Sequence, residues 1–155
     1  MAKTRRSSLK KSSMTYSFEQ IKTIIPHREP FILIDRITEN ESLVHTFSEH
    51  DVRPDAFWVP GHFPGNPVMP GVLMVEAMAQ TGAVNILTMP EYKGKIGYFS
   101  SIQDVKFKRK VVPGDTVVIK ATYLSQRAIF FFFEGEAFVN NELVCSARFS
   151  VAVAR

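Results

Sequence analysis

The sequence predicts an α+β fold in which an antiparallel sheet wraps around one long central helix. Three observations lead there. One long helical stretch, residues 72–87, has a few short extended segments before it and a run of four longer ones after it. Strands grouped in this way, rather than alternating with helices, are the pattern of a sheet folded over a helix. That stretch is also apolar nearly all round, as expected of a helix enclosed by its own sheet. Finally, four consecutive phenylalanines at 130–133 put rings on both faces of one strand. One set can pack on the helix. The other needs a second cover, because a solvent-facing row of Phe is an aggregation hazard, so an oligomer is expected.

Each element has its own signal. Residues 1–11 carry Lys3, Arg5, Arg6, Lys10 and Lys11 and no acid, so 1–13 reads as a flexible basic tail and 14–155 as a single domain. The tail lacks the apolar core of a secretory signal, and its composition also fits a remnant of an organelle transit peptide. Ser17-Phe18-Glu19-Gln20 has capping-box spacing, with Ile21, Ile24 and Ile25 following before Pro26. A short helix is expected there. Residues 31–37 and 43–47 read as strands around a polar turn at 39–42. From Asp51 to Gly71, five prolines and three glycines leave no room for a regular element, and a loop of that length is usually functional. After the central helix, residues 96–107, 116–123, 128–139 and 143–153 read as strands. Pro113-Gly114-Asp115 and Asn140-Asn141 are turn signals between them, the second suited to a tight hairpin.

Composition excludes several classes. Nothing approaches the ~18 apolar residues of a membrane span. The formal net charge of +4 resides in the tail, and the remaining 14 basic and 15 acidic residues lack the excess of a nucleic-acid domain. Cys145 is alone, so no internal disulfide forms, and a reducing, cytoplasmic setting is expected. The chain has no metal-ligand cluster, phosphate-cradling Gly loop or nucleophile elbow, and no cofactor or metal is expected.

The chemistry concentrates in 15 residues. Glu76 is the one ionisable residue of the apolar helix, with Gln80 one turn on along the same face. A buried carboxyl there must be paired, hydrogen-bonded or protonated, and burial would make it an acid near neutral pH. On the helix alone, a structural Glu favoured by the helix dipole explains as much. The loop breaks that tie. The segment 61–71 spends more than half its positions on Gly and Pro, so it can hold a side chain in a fixed pose, and the titratable residue it holds is His62. Pro70-Gly71 then opens the helix, whose first-turn amides can receive a carbonyl oxygen gaining charge. Base, acid and oxyanion donor are the parts needed to take a proton beside a thioester and expel a β-hydroxyl.

These residues carry a resemblance. Pro26-His27-Arg28, Pro30-Phe31, Leu33 and Asp35-Arg36, then Gly61-His62-Phe63-Pro64-Gly65, Pro67 and Met69-Pro70-Gly71-Val72-Leu73, then Val75-Glu76-Ala77-Met78-Ala79-Gln80, then Phe107 and Val111-Val112-Pro113-Gly114-Asp115 resemble the 3-hydroxyacyl-[acyl-carrier-protein] dehydratases of bacterial-type fatty acid synthesis, the FabZ type with a hot-dog fold. The resemblance runs from Phe18 to the C-terminus. It implies a hydro-lyase with His62 and Glu76 catalytic, the Gly71 amide on the thioester carbonyl and the Val68 carbonyl orienting the imidazole. It also implies a homodimer in which His62 of one subunit meets Glu76 of the other, with a trimer of dimers as the larger assembly. Phe63, Tyr98 and Ile102 are candidate walls of an acyl tunnel, although core packing explains each of them equally well. Lys106, Lys108, Arg109 and Lys110 are a candidate dock for acyl carrier protein, or else a solvated strand end. His27 reads as structural, and His45 and His50 have no recognised partner.

Glu rather than Asp at 76 matches the FabZ type over the related branch that also isomerises the double bond. Asp55 to Pro60, Ser101 and Gln103 depart from the family pattern and leave chain-length preference open. An isomerising dehydratase, a hot-dog thioesterase and a non-catalytic acyl-carrier-binding subunit are the alternative readings.

Overall fold

A computed structural model describes residues 13–154, so the tail expected over 1–13 lies, save its last residue, outside the described residues. Ser17 caps α1 (Phe18–Ile24) as its spacing implies. Its side chain accepts from the Gln20 amide at 3.3 Å, and its own amide donates to the Gln20 side chain at 2.8 Å. The central helix α2 spans Gly71–Leu87. Seven antiparallel strands form one sheet: β1 (Met14–Tyr16), β2 (Arg36–Glu41), β3 (His45–Asp51), β4 (Gly97–Phe107), β5 (Thr116–Arg127), β6 (Phe130–Val139) and β7 (Glu142–Val153). Their order across the sheet is β1-β2-β3-β5-β6-β7-β4, so the chain leaves β3, lays α2 over the sheet and enters its far edge as β4. Asn140 and Asn141, with φ of 49° and 63°, make the β6–β7 turn, as the paired asparagines predict.

The expected architecture, a sheet around one helix, is what the chain adopts, and one local reading is corrected. Residues 31–35, expected to begin a strand, run as an extended segment outside the sheet, and β2 starts at Arg36 and continues through the expected turn to Glu41. Ile32, Leu33 and Ile34 are buried, so their apolarity serves the core rather than a ladder. The helix α2 is apolar nearly all round, as expected, but it also carries a buried polar stripe. Gln80, Thr81 and Asn85 are buried polar residues, and each has partners across the layers. Thr81 shares a 2.7 Å hydrogen bond with Ser48. Asn85 accepts from the Leu43 amide at 3.0 Å and donates to the Glu41 carbonyl and the Thr46 hydroxyl. Thr81 and Asn85 fasten the β2–β3 hairpin to the helix, and Gln80 ties in the segment before it.

Of the four phenylalanines, Phe131 and Phe133 are fully buried, and Phe133 stacks on Phe149 at 5.5 Å between ring centres. Phe130 is exposed and Phe132 partly so, on the opposite face. Cys145 is fully buried in β7, and burial pushes its thiol up to about 11.

Candidate active site

The loop between β3 and α2 is fastened at both ends to the segment after β4. Val52 donates to the Asp115 carbonyl at 2.9 Å and Met69 to the Val111 carbonyl at 2.8 Å, with buried Trp58 as its apolar anchor. An ion cluster secures its start. Asp35 accepts from His50 Nδ1 at 3.0 Å, the Asp51 amide at 2.7 Å and Arg53 at 2.7 Å. Burial pushes this carboxyl up, but the three donors outweigh it and hold it at about 2. His50, expected to lack a partner, has one in Asp35, and His45 lies 3.2 Å from Glu39.

Within this frame His62 and Val68 are bonded twice. The Val68 amide donates to the His62 carbonyl at 2.8 Å, and the imidazole Nδ1 donates to the Val68 carbonyl at 2.7 Å. A carbonyl can only accept, so the hydrogen of the neutral ring sits on Nδ1 and Nε2 keeps its lone pair. Phe63 stacks on the ring at 4.2 Å. His62, Val68, Pro70, Gly71, Phe107, Lys108, Arg109 and Lys110 border one open cavity of about 530 Å³. Lys106 is not among its walls, and Arg109 pairs with Glu142. The Phe107 ring lies so close over Gly71 that a Cβ there would fall 2.5 Å from it, so position 71 needs its missing side chain for close approach rather than for backbone freedom.

Glu76 borders a different, small cavity of about 40 Å³, with His27, Ala79, Gln80, Ala83, Gly97, Phe99 and Val151. Gln80 donates to Glu76 Oε1 at 3.2 Å, so the two do share a face. His27 Nε2 lies 3.6 Å from the same oxygen, a neighbour that sequence reasoning missed. No local signal marks it, because 49 residues separate the pair. Within one chain, then, His62 and Glu76 face separate spaces. Phe63, Tyr98 and Ile102 are all about half exposed or more, which removes the core-packing explanation for them. Among the described residues no cluster of His, Cys, Asp and Glu has the makings of a metal site.

A family model described as the FabA-like domain matches residues 25–148. A relative from Desulforamulus reducens named 3-hydroxyacyl-[acyl-carrier-protein] dehydratase FabZ is 46% identical over 133 residues, covering 86% of this chain and 94% of that one. One of the same name from Enterococcus faecalis is 40% identical, covering 90% and 99%. Among solved structures, the dehydratase heterocomplex ApeI:P from Xenorhabdus doucetiae matches with a TM-score of 0.75 at 19% identity, covering 87% and 91%. A Thermus thermophilus thioesterase superfamily member matches at 0.61 and 21%, covering 74% and 83%. At such identities the last two speak for the hot-dog fold alone.

Proposed function

The chain belongs to the FabA-like domain family, and from that premise we propose that it dehydrates (3R)-3-hydroxyacyl-[acyl-carrier-protein] to the trans-2-enoyl thioester in fatty acid biosynthesis, as its relatives are named for doing. The reading is carried by the His62 ring, fixed on the Val68 carbonyl with Nε2 free to accept, in one cavity with the Gly71 amide. His62 Nε2 takes the C2 proton while the Gly71 amide holds the carbonyl oxygen as it gains charge. The C2–C3 double bond forms as the C3–O bond breaks, and Glu76 gives its proton to the departing hydroxyl, which leaves as water. No cofactor enters this scheme.

A homodimer is the minimal unit in this reading. The two reacting groups border separate cavities of one chain, and the Glu76 cavity includes Gly97 and Phe99 of edge strand β4. A second copy laid along β4, whose Tyr98 and Ile102 are exposed, would cover that edge, bring His62 of one subunit to Glu76 of the other and wall an acyl channel with Phe63, Tyr98 and Ile102. Lys108, Arg109 and Lys110, with Lys106 just before them at the end of β4, would meet an acidic carrier protein at the mouth. In this reading the protein's place is the cytoplasm, a reducing compartment that a single cysteine fits. No helix of the described residues is long and apolar enough to cross a membrane.

Turnover of a 3-hydroxybutyryl or crotonyl thioester tests the assignment. His62→Ala and Glu76→Gln should each lower kcat by at least about 100-fold, and near-wild-type turnover in either refutes it. Release of free thiol would mark a thioesterase instead, and a 3,4-double bond in the product an isomerase.

A further inference from the structure

We propose that His27 is a positioning residue for the Glu76 carboxyl, fixing which of its two oxygens carries the transferable proton. The inference rests on the reading of Glu76 as the acid. The segment after α1 is tied to α2 through Gln80, whose side chain accepts from the Leu33 amide at 2.8 Å and donates to the Phe31 carbonyl at 2.8 Å. That tie sets His27 beside the helix, with Nε2 3.6 Å from Glu76 Oε1 and the two side chains only 22% and 18% exposed. The other ring nitrogen, Nδ1, is buried without a hydrogen-bond partner. A position that needed only bulk would avoid that cost with an apolar residue. The polar ring is therefore explained by what its Nε2 faces.

A nitrogen facing a carboxyl oxygen with its lone pair would be repelled, so the hydrogen of neutral His27 sits on Nε2. This is the opposite tautomer to His62, and it suits the opposite task, donating rather than accepting. Gln80 Nε2 donates to the same Oε1 at 3.2 Å. Two donors converging on Oε1 leave no room there for a carboxyl proton, which must sit on Oε2. The cavity of about 40 Å³ beside these groups is lined by the small residues Ala79, Ala83 and Gly97 together with Phe99 and Val151. It has room for a hydroxyl on its way to becoming water, whose share of liquid volume is ~30 Å³. The 3.6 Å separation is just beyond a hydrogen bond, and such contacts tighten when substrate fills the site.

The experiment compares His27→Phe, which keeps a ring without a donor, with His27→Gln, which restores a donor, both alone and with Glu76→Gln. On a 3-hydroxybutyryl thioester, H27F should lower kcat about 10-fold with KM within about 2-fold, the loss of one hydrogen bond to the reacting group. H27Q should recover most of that loss. In the E76Q background H27F should change nothing further, because its effect passes through the missing acid. Wild-type kcat in H27F beside an inactive E76Q overturns the proposal, as do equal losses in H27F and H27Q that track a fall in Tm. An active E76Q overturns the underlying reading instead. Nitrogen-15 NMR of the unmutated protein gives an answer independent of any variant's folding: His27 should carry its hydrogen on Nε2 and His62 on Nδ1, and an Nδ1–H tautomer at His27 sinks the idea.

Discussion

A methyl group at position 71 would strike the Phe107 ring, whose Cε1 and Cδ1 lie 2.5 and 2.7 Å from where it would stand. Phe107 is half exposed, so the ring can swing outward and the fold survives. The groove beside the first turn of α2 does not. Gly71→Ala should lower kcat/KM about 10-fold or more while moving Tm by no more than about 4 °C, an effect of ~1 kcal/mol. Full activity, or a collapsed melting transition, would show that the close approach serves the core instead. At this scale legibility followed local contrast. His62 stands out in a Gly- and Pro-rich loop, and Glu76 in an apolar helix, so one sequence suffices to nominate them as candidates. His27, Asp35 and Phe107 take their meaning from residues far along the chain or on another element, and no nearby residue announces them.

Elements show the same division. The strands after α2 were readable from their β-branched and aromatic runs and their turn residues. The segment 31–35 was misread because an apolar run fits a strand and a core-lining loop equally well, and what decides is Gln80 taking up its backbone groups at Phe31 and Leu33. The roles of Thr81 and Asn85 in α2 were illegible for a related reason: their partners sit on the β2–β3 hairpin. Asn85→Ala would strand the Leu43 amide and remove the donor to the Thr46 hydroxyl, whereas the Glu41 carbonyl keeps the Val44 amide at 3.0 Å. We expect a loss of about 2–4 kcal/mol in urea unfolding, and a change below 1 kcal/mol would mean the hairpin is held by packing alone.

The loop's anchor at Asp35 carries a pH signature. Its folded value of about 2 lies below the ordinary 3.8, so its stabilisation is present in full above pH ~4 and fades as pH falls through about 2. The shift corresponds to about 2 kcal/mol. Asp35→Asn should flatten the fall in stability between pH 4 and 2, whereas an unchanged acid limb would place the sensitivity elsewhere.

For the whole molecule the unpaired edge of β4 matters most. Its row of Tyr98, Phe99 and Ile102 is more apolar than an edge strand facing water can bear without inviting a partner. Ile102→Lys should halve the mass measured by light scattering and abolish turnover together, and raising the protein concentration should restore both in parallel. A monomer with full activity would mean that each chain carries a complete site. The Phe run at 130–133 argues for cover from the sequence, but the strand left at the open edge depends on the sheet order, which no single segment encodes.

The lone thiol of the chain offers a consequence of a practical kind. Cys145 is fully enclosed and its thiol stays protonated until about pH 11, while alkylating reagents attack the thiolate. In the folded protein iodoacetamide should therefore find nothing to modify, and each molecule labelled is one whose sheet has parted. The rate at which mass increases by one adduct then clocks the opening of the native state, with no dye or engineered probe.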